Sequence, residues 1–201
     1  VVSGNMNWST LIQGVTPEMF AIREWEAEAG RTLSQADVDG ALKVCVLGRT
    51  VTETLFGDQD PVDKVVRIKQ VPFTVAGVLT AKGRSPQGSD QDDVVFIPIT
   101  TAVRKIIGSP LPNTVGAILV QATGEDRLDA AQQEATELLD QRHRIGPAKE
   151  RDFSVRNLTE ILEVAEQSSR IMSMLLGAVA SISLLVGGIG IMNIMMVSVV
   201  E

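Results

Sequence analysis

Chemistry in a chain of this kind would have to come from a few side chains. Cys45 is its only cysteine and His143 its only histidine. Cys45 sits among Val44, Val46 and Leu47, a setting that predicts a small apolar core residue on a buried strand rather than a nucleophile. A nucleophile–base triad around His143 has no supporting arrangement in the sequence. Two acidic clusters, Asp58/Asp60/Asp63 and Asp90/Asp92/Asp93, could in principle hold calcium. In an EF-hand loop started at Asp58, the sixth and twelfth positions would be Gly and Glu; here they are Asp63 and Lys69. No metal site is expected. There is no G-x-x-x-x-G-K-[ST] phosphate loop, H-E-x-x-H or C-x-x-C, so no catalytic or cofactor-binding residue is expected.

The elements around these residues can be read from spacing. Ser9–Val15 alternates weakly, as a strand does. Thr16-Pro17-Glu18 reads as a helix start with a hydroxyl N-cap and Pro at N1; Met19, Phe20 and Ile22 follow it into a core, and the stretch ends at Gly30-Arg31. Ser34-Gln35-Ala36-Asp37 is an acidic variant of the capping box. Val44–Leu47 predicts a buried strand, and Thr50–Phe56 two helical turns stopped by Gly57. Asp58–Pro61 is a turn. Val65–Ile68 and Phe73–Leu79 predict strands joined near Lys69-Gln70, with Gly77 marking a bulge or a close packing contact. Thr80–Asp93 has loop composition. Solvent exposure is its favoured reading, with partner contact for Ala81–Asp93 as the alternative. Val94–Ile99 is a strand, Thr101–Ile107 a short helix stopped at Gly108, and Pro110 and Pro112 mark a further loop.

A β-α-β segment is expected next. Val115–Val120 and Phe153–Arg156 would be its strands. Leu128, Ala131, Ala135, Leu138 and Leu139 line one face of the helix between Glu125 and Arg142, with acids at its start and bases at its end as the helix dipole favours. Asn157-Leu158-Thr159-Glu160 then caps a second helix, with Ile161, Val164 and Ser168 as a stripe. Nothing breaks that helix before Met172, so it should run on into the apolar segment.

Ile171–Val200 contains no charged residue. As a helix it is about 45 Å long at roughly 1.5 Å per residue, more than a bilayer core of about 30 Å requires. The fold class is therefore α+β: a mixed α/β domain leading into one transmembrane helix. On that helix Ser173, Gly177, Ser181 and Gly188 fall in one sector, Gly187, Gly188 and Gly190 cluster, and Asn193 is polar. These seven are helix-packing candidates, since small residues let a neighbouring helix approach closely.

The net charge is −7, of which −6 lies on residues 1–170. Nucleic-acid binding needs clustered Lys and Arg, so it is not expected. Aromatics make up 3% of the chain, too few for a stacking surface. No signal peptide is visible before Val1, and the chain reads as a fragment cut at both ends.

Val186–Glu201, VGGIGIMNIMMVSVVE, closely resembles the second transmembrane helix of MacB-type ABC transporters. Upstream, Lys43–Gly48, Leu55-Phe56-Gly57, Asp60-Pro61-Val62, Val71–Leu79, Asp92–Val95 and Ile97-Pro98 are similar to the extracytoplasmic core pattern of that family. Asp63 is a departure, standing where the family commonly has Gly. The resemblance implies a two-lobed extracytoplasmic domain: residues 1–112 as an inserted lobe, 113–157 as an incomplete membrane-proximal lobe, 158–170 as a stalk helix and 171–200 as the membrane helix. It implies a dimeric four-helix export permease in the cell (inner) membrane, with residues 1–170 mostly outside the cytoplasm. Its partners would be an ABC ATPase domain or subunit, the lipid bilayer and, depending on the envelope, a periplasmic adaptor. ATP and Mg would bind the ATPase rather than this chain, and the helices would carry movement outward. A single-pass anchored binding or scaffold domain is the rival reading; an anchored hydrolase would need a catalytic constellation that the sequence lacks.

Overall fold

The computed structural model describes residues 1–85, 88–108, 114–145 and 150–200, excepting the side chains of Ile107, Glu125 and residues 158–163, 165, 166 and 193–200. It divides into two compact units, residues 1–121 and 122–201.

In the first unit, β1 (Val2–Ser3), β2 (Met6–Asn7) and β3 (Leu11–Val15) precede α1 (Glu18–Ile22), β4 (Ala27–Gly30) and α2 (Gln35–Asp39). Then come β5 (Val44–Leu47), α3 (Arg49–Phe56), β6 (Val65–Ile68), β7 (Val71–Leu79), β8 (Val94–Pro98) and α4 (Ile99–Thr101), which continues as a π-helix over Ala102–Ile107. Among the described residues the eight strands form one mixed sheet in the order β2-β1-β6-β7-β5-β8-β3, with β4 also pairing with β7.

The apolar run at β5 is explained by its place. It lies between β7, parallel, and β8, antiparallel, with a helical layer against one face. Alternate residues therefore feed two cores. Cys45 and Leu47 join Val51, Leu55, Phe73, Val95 and Ile97 on the face covered by α3. Val46 joins Met19, Phe20, Trp25, Leu79, Val94 and Phe96 on the other. Phe96 is met edge-on by Phe20 at 5.6 Å and by Trp25 at 5.5 Å. Burying each such side chain contributes about 1.5–3 kcal/mol.

Local chemistry decides the joins. Lys69 and Gln70 both take positive φ (44° and 70°), the two-residue turn whose twist matches the β6–β7 hairpin. Asp63 takes φ 62° and donates its N–H to Val75 O at 2.9 Å. The left-handed conformation that Gly would provide is thus kept by an aspartate, a residue that tolerates it. Gly77 marks both a register shift and a close approach. The pairing jumps from Cys45↔Val75 to Val46↔Gly77, and a Cβ at Gly77 would lie 2.4 Å from Arg31 O and 2.7 Å from Ala29 O of the β4 segment. β4 itself was not expected: Ala27-Glu28-Ala29-Gly30 has little strand propensity, and pairing with β7 imposes the conformation.

Two helix starts need correction or refinement. α1 begins at Glu18, and the Thr16 hydroxyl meets the Glu18 carboxylate, holding it below its ordinary range. Ile22 is half-buried, whereas Met19 and Phe20 are in the core. The helix before Gly108 starts two residues earlier than predicted, at Ile99, and widens to π geometry.

The second unit holds a 3-10 turn (Glu125–Arg127), α5 (Leu128–His143) and α6 (Leu158–Val200). The predicted face of α5 is present, with Leu128, Ala131, Ala135 and Leu139 half-buried and Leu138 exposed. The flanking strands are not. Val115–Val120 and Phe153–Arg156 carry no strand among the described residues. A strand exists only through its ladder, and neither segment pairs within these residues; Ile118 and Val120 remain 67% and 69% exposed. The predicted loop around Pro110 and Pro112 lies outside the described residues, as do the side chains of the cap residues Leu158–Glu160 and of Ile161.

Candidate functional site

The residues that could have carried chemistry are occupied structurally. Cys45 is fully buried in the sheet core, and burial pushes its thiol up, away from the reactive thiolate. Asp60 Oδ1 accepts the Val62 N–H at 3.0 Å, a local turn bond. The second acidic cluster pins the root of the polar loop. Buried Asp92 accepts the backbone N–H groups of Lys82 and Gly83, both at 2.8 Å. Asp90 accepts the Thr50 hydroxyl at 2.8 Å, and Asp93 accepts Trp8 Nε1–H at 2.8 Å. Trp25 Nε1–H donates to Thr80 O at 2.7 Å, while Lys82 lies over the Trp25 ring and bonds Arg23 O. Gly48 lets this root sit tightly, since a Cβ there would lie 2.2 Å from Asp92 O. The polar composition of Thr80–Asp93 thus includes a set of acceptors anchoring the loop to the sheet.

The Ser34 capping box forms as its spacing predicts: Ser34 N–H donates to Asp37 Oδ2 at 2.8 Å and Asp37 N–H to Ser34 Oγ at 3.4 Å. Arg31 adds two bonds to the same carboxylate, at 2.6 and 3.0 Å. The guanidinium first, and the Ser34 bonds with it, bring Asp37 down to about 2 against the cost of burial. Arg31 had no recognisable signal in the sequence, because its role depends on the turn after β4.

The candidate functional element is α6. It runs unbroken for 43 residues, about 65 Å at roughly 1.5 Å per residue. Gln167–Met192 is long and apolar enough to cross a membrane, and none of it is buried by the described residues. Its serines bond the preceding turn: Ser173 to Ser169 O at 3.0 Å, Ser181 to Gly177 O at 2.8 Å and Ser183 to Val179 O at 2.8 Å. Such bonding satisfies each hydroxyl where no water is available. Ser173, Gly177, Ser181 and Gly188 share one sector of about 80°, and Gly187 borders it. Gly190, two residues beyond Gly188, points about 160° away. Around Gly177, Gly187, Gly188 and Gly190 there is open space where a Cβ would stand. The Asn193 side chain lies outside the described residues.

Among the described residues, no group of three or more His, Cys, Asp or Glu comes together as a metal cradle. The described residues form a two-core sheet domain, a loop rooted in that sheet and a long helix with an uncovered apolar surface.

Comparison with known proteins accords with this arrangement. Residues 1–138 match the family model for the MacB-like periplasmic core domain. The macrolide export ATP-binding/permease protein MacB of Rhodospirillum rubrum is 43% identical over 197 residues, which cover 98% of this chain and 29% of that protein. Its counterpart in Chlorobium luteolum is 42% identical over 201 residues, all of this chain and 30% of that protein. The chain therefore spans about a third or less of the length of these relatives. Among solved structures, the periplasmic region of MacB from Actinobacillus actinomycetemcomitans superimposes with a TM-score of 0.62 at 26% identity, covering 82% of this chain and 70% of that one. The extracellular domain of the transporter YknZ shares the fold, with a TM-score of 0.56 at 18% identity, covering 73% of this chain and 71% of that one. With the family model matching well over half its residues, this chain belongs to the MacB-like periplasmic core domain family.

Proposed function

We propose that this chain is the extracytoplasmic and transmembrane part of an ABC-type export permease, coupling ATP binding and hydrolysis in the cytoplasm to movement of the extracytoplasmic domain. The observation that carries the reading is the unbroken helix α6. A helix is stiff along its axis, and one without a Pro or a break from Leu158 to Val200 can transmit displacement over its whole length. The curated relatives named above are export ATP-binding/permease proteins, which supports the reading. ATP and Mg belong to an associated ATPase domain or subunit. The membrane in question is the inner membrane, and a periplasmic adaptor is a partner where the envelope provides one. Residues 1–112 serve as the inserted lobe and 113–157 as part of a membrane-proximal lobe whose sheet is completed elsewhere, which accords with the unpaired apolar run at Val115–Val120.

The permease acts as a homodimer, and Ser173, Gly177, Ser181, Gly187 and Gly188 form the face through which α6 meets another helix; Gly190 and Asn193, whose positions fall on the opposite side of the helix at about 100° per residue, serve a second neighbour. The test is disulfide crosslinking from single cysteines at Gly177 or Ser181 in the full-length protein with its ATPase, in lipid nanodiscs. Cys45→Ala is the better background than Cys45→Ser, because a hydroxyl in that dry core would lack a partner, at a cost of about 1–3 kcal/mol. Crosslinking that changes with ATP is expected. Efficient crosslinking indifferent to nucleotide would leave the dimer and remove the coupling. No crosslinking at either site would remove this face from the dimer, and a protein without a companion ATPase would leave the anchored scaffold.

A further inference from the structure

The approach to α6 is tied back onto the end of α5. Arg144 ends α5 in the left-handed region, with φ 52°, and Ile145 N–H donates to Asp140 O at 2.9 Å. Arg151 then grips the Asp140 carboxylate with two nitrogens, Nε at 2.9 Å and Nη2 at 2.7 Å. The next residue, Asp152, places Oδ1 2.8 Å from His143 Nδ1. The residue after that, Phe153, meets the His143 ring edge-on, with centroids 5.7 Å apart. Three consecutive residues therefore engage two positions one helical turn apart, and α6 begins five residues later.

The two ion pairs respond differently to protons. A guanidinium stays charged across the whole range in which proteins work, so Asp140–Arg151 is constant near neutrality. Imidazole is the side chain whose charge changes between about pH 5 and 8. When neutral it offers Asp152 at most one uncharged N–H; as imidazolium it offers a charge-assisted bond. Among the described residues, the other charged groups close by in the sequence are Asp140, Arg142 and Arg144 on the α5 side and Glu150, Arg151 and Arg156 on the other. Asp140 is spent on Arg151, which leaves Asp152 as the carboxylate in contact with His143.

We propose that His143 is the proton-operated half of a two-part latch: protonation tightens the hold of Asp152 and Phe153 on the end of α5, and deprotonation loosens it while Asp140–Arg151 remains paired. The latch belongs to the joint and holds whether or not the protein exports anything. Both partners of the pair are partly exposed, at 40% and 55%, so its effect on the joint is on the order of two- to fivefold.

The test places spin labels at Glu134→Cys and Ser154→Cys in the full-length protein carrying Cys45→Ala, in nanodiscs, and measures the distance distribution at pH 5.5 and 8.0. The ratio of compact to loose populations should fall about two- to fivefold from the lower to the higher pH. His143→Gln should give the looser distribution at both values, and His143→Lys, a permanent cation, the compact one at both. An unchanged distribution in the parent protein overturns the proposal, as does a pH response that survives in His143→Gln. A loose distribution in His143→Lys at both values would also overturn it, by removing charge as the operative property.

Discussion

At the scale of single residues, the most consequential ionisable group in the first unit is Asp37. Its carboxylate is almost wholly buried, yet it accepts from Arg31 and from both the backbone and the hydroxyl of Ser34. Because its folded pKa, about 2, lies below that of an ordinary carboxylate, the unfolded chain takes up the proton first as pH falls. The stabilisation is complete above pH about 4 and is lost as pH drops toward 2. Arg31 is half exposed, so solvent screening reduces the contribution to about 1–2 kcal/mol. Asp37→Asn should lower stability at pH 7 by that amount and flatten the fall in melting temperature between pH 4 and 2. A parallel fall in parent and variant would assign acid sensitivity to other carboxylates. The Ser34–Asp37 spacing was readable because a capping box is local. Arg31 was not, because its reach to Asp37 depends on where pairing with β7 leaves the chain after β4.

Among elements, the sheet strands with internal signals were legible, and those defined by their neighbours were not. β5, β6, β7 and β8 announce themselves through apolar runs and turn residues. β4 has an Ala-Glu-Ala-Gly sequence and exists because β7 offers it an edge. The converse holds at Val115–Val120, where strand-forming residues have no ladder to join in these residues. Composition reports how much a segment gains by being covered, and pairing depends on what lies beside it. The β4–β7 contact also fixes a sharp prediction. Gly77→Ala would drive a methyl into the backbone oxygens of Arg31 and Ala29, so the two strands must part or the bulge must shift. A loss of about 3 kcal/mol or more is expected. Trp25, 2% exposed and hydrogen-bonded to Thr80 O just past the end of β7, should report it in denaturant unfolding followed by fluorescence. A loss under about 1 kcal/mol would mean that the sheet absorbs the methyl by a register change.

Taken as a whole molecule, a sheet domain shares a chain with a helix whose apolar stretch Gln167–Met192 is left uncovered by the described residues. The protein is a membrane protein with an extracytoplasmic segment, and α6 should keep it in the bilayer by itself. Residues 1–201 produced alone should stay with membranes stripped with alkaline carbonate, whereas replacing Leu175, Val179 and Ile182 with Lys should release a large share of them, since each charge near a span's centre costs about 2.5–3.5 kcal/mol. Retention of the triple variant would mean that a surface other than the apolar length of α6 holds these residues to the membrane. The membrane helix was legible in advance because its signal is length and uniform apolarity, which need no tertiary context. The division of labour along it was less so: back-bonding serines satisfy themselves, and small size is their remaining contribution to a helix contact.

The pairing of β3 with β8 has a consequence for the time course of folding. Leu11 pairs with Val94 and Val15 with Pro98, so this strand must wait for about 80 further residues to be made before its neighbour exists. At about 5–20 residues per second, synthesis leaves it unpaired for some 4–16 s. During that interval Leu-Ile-Gln-Gly-Val has no charge and no proline to discourage association with other chains. The sheet's outermost long strand is thus the part of the nascent protein most in need of a holding chaperone, and the last to be made safe by the fold.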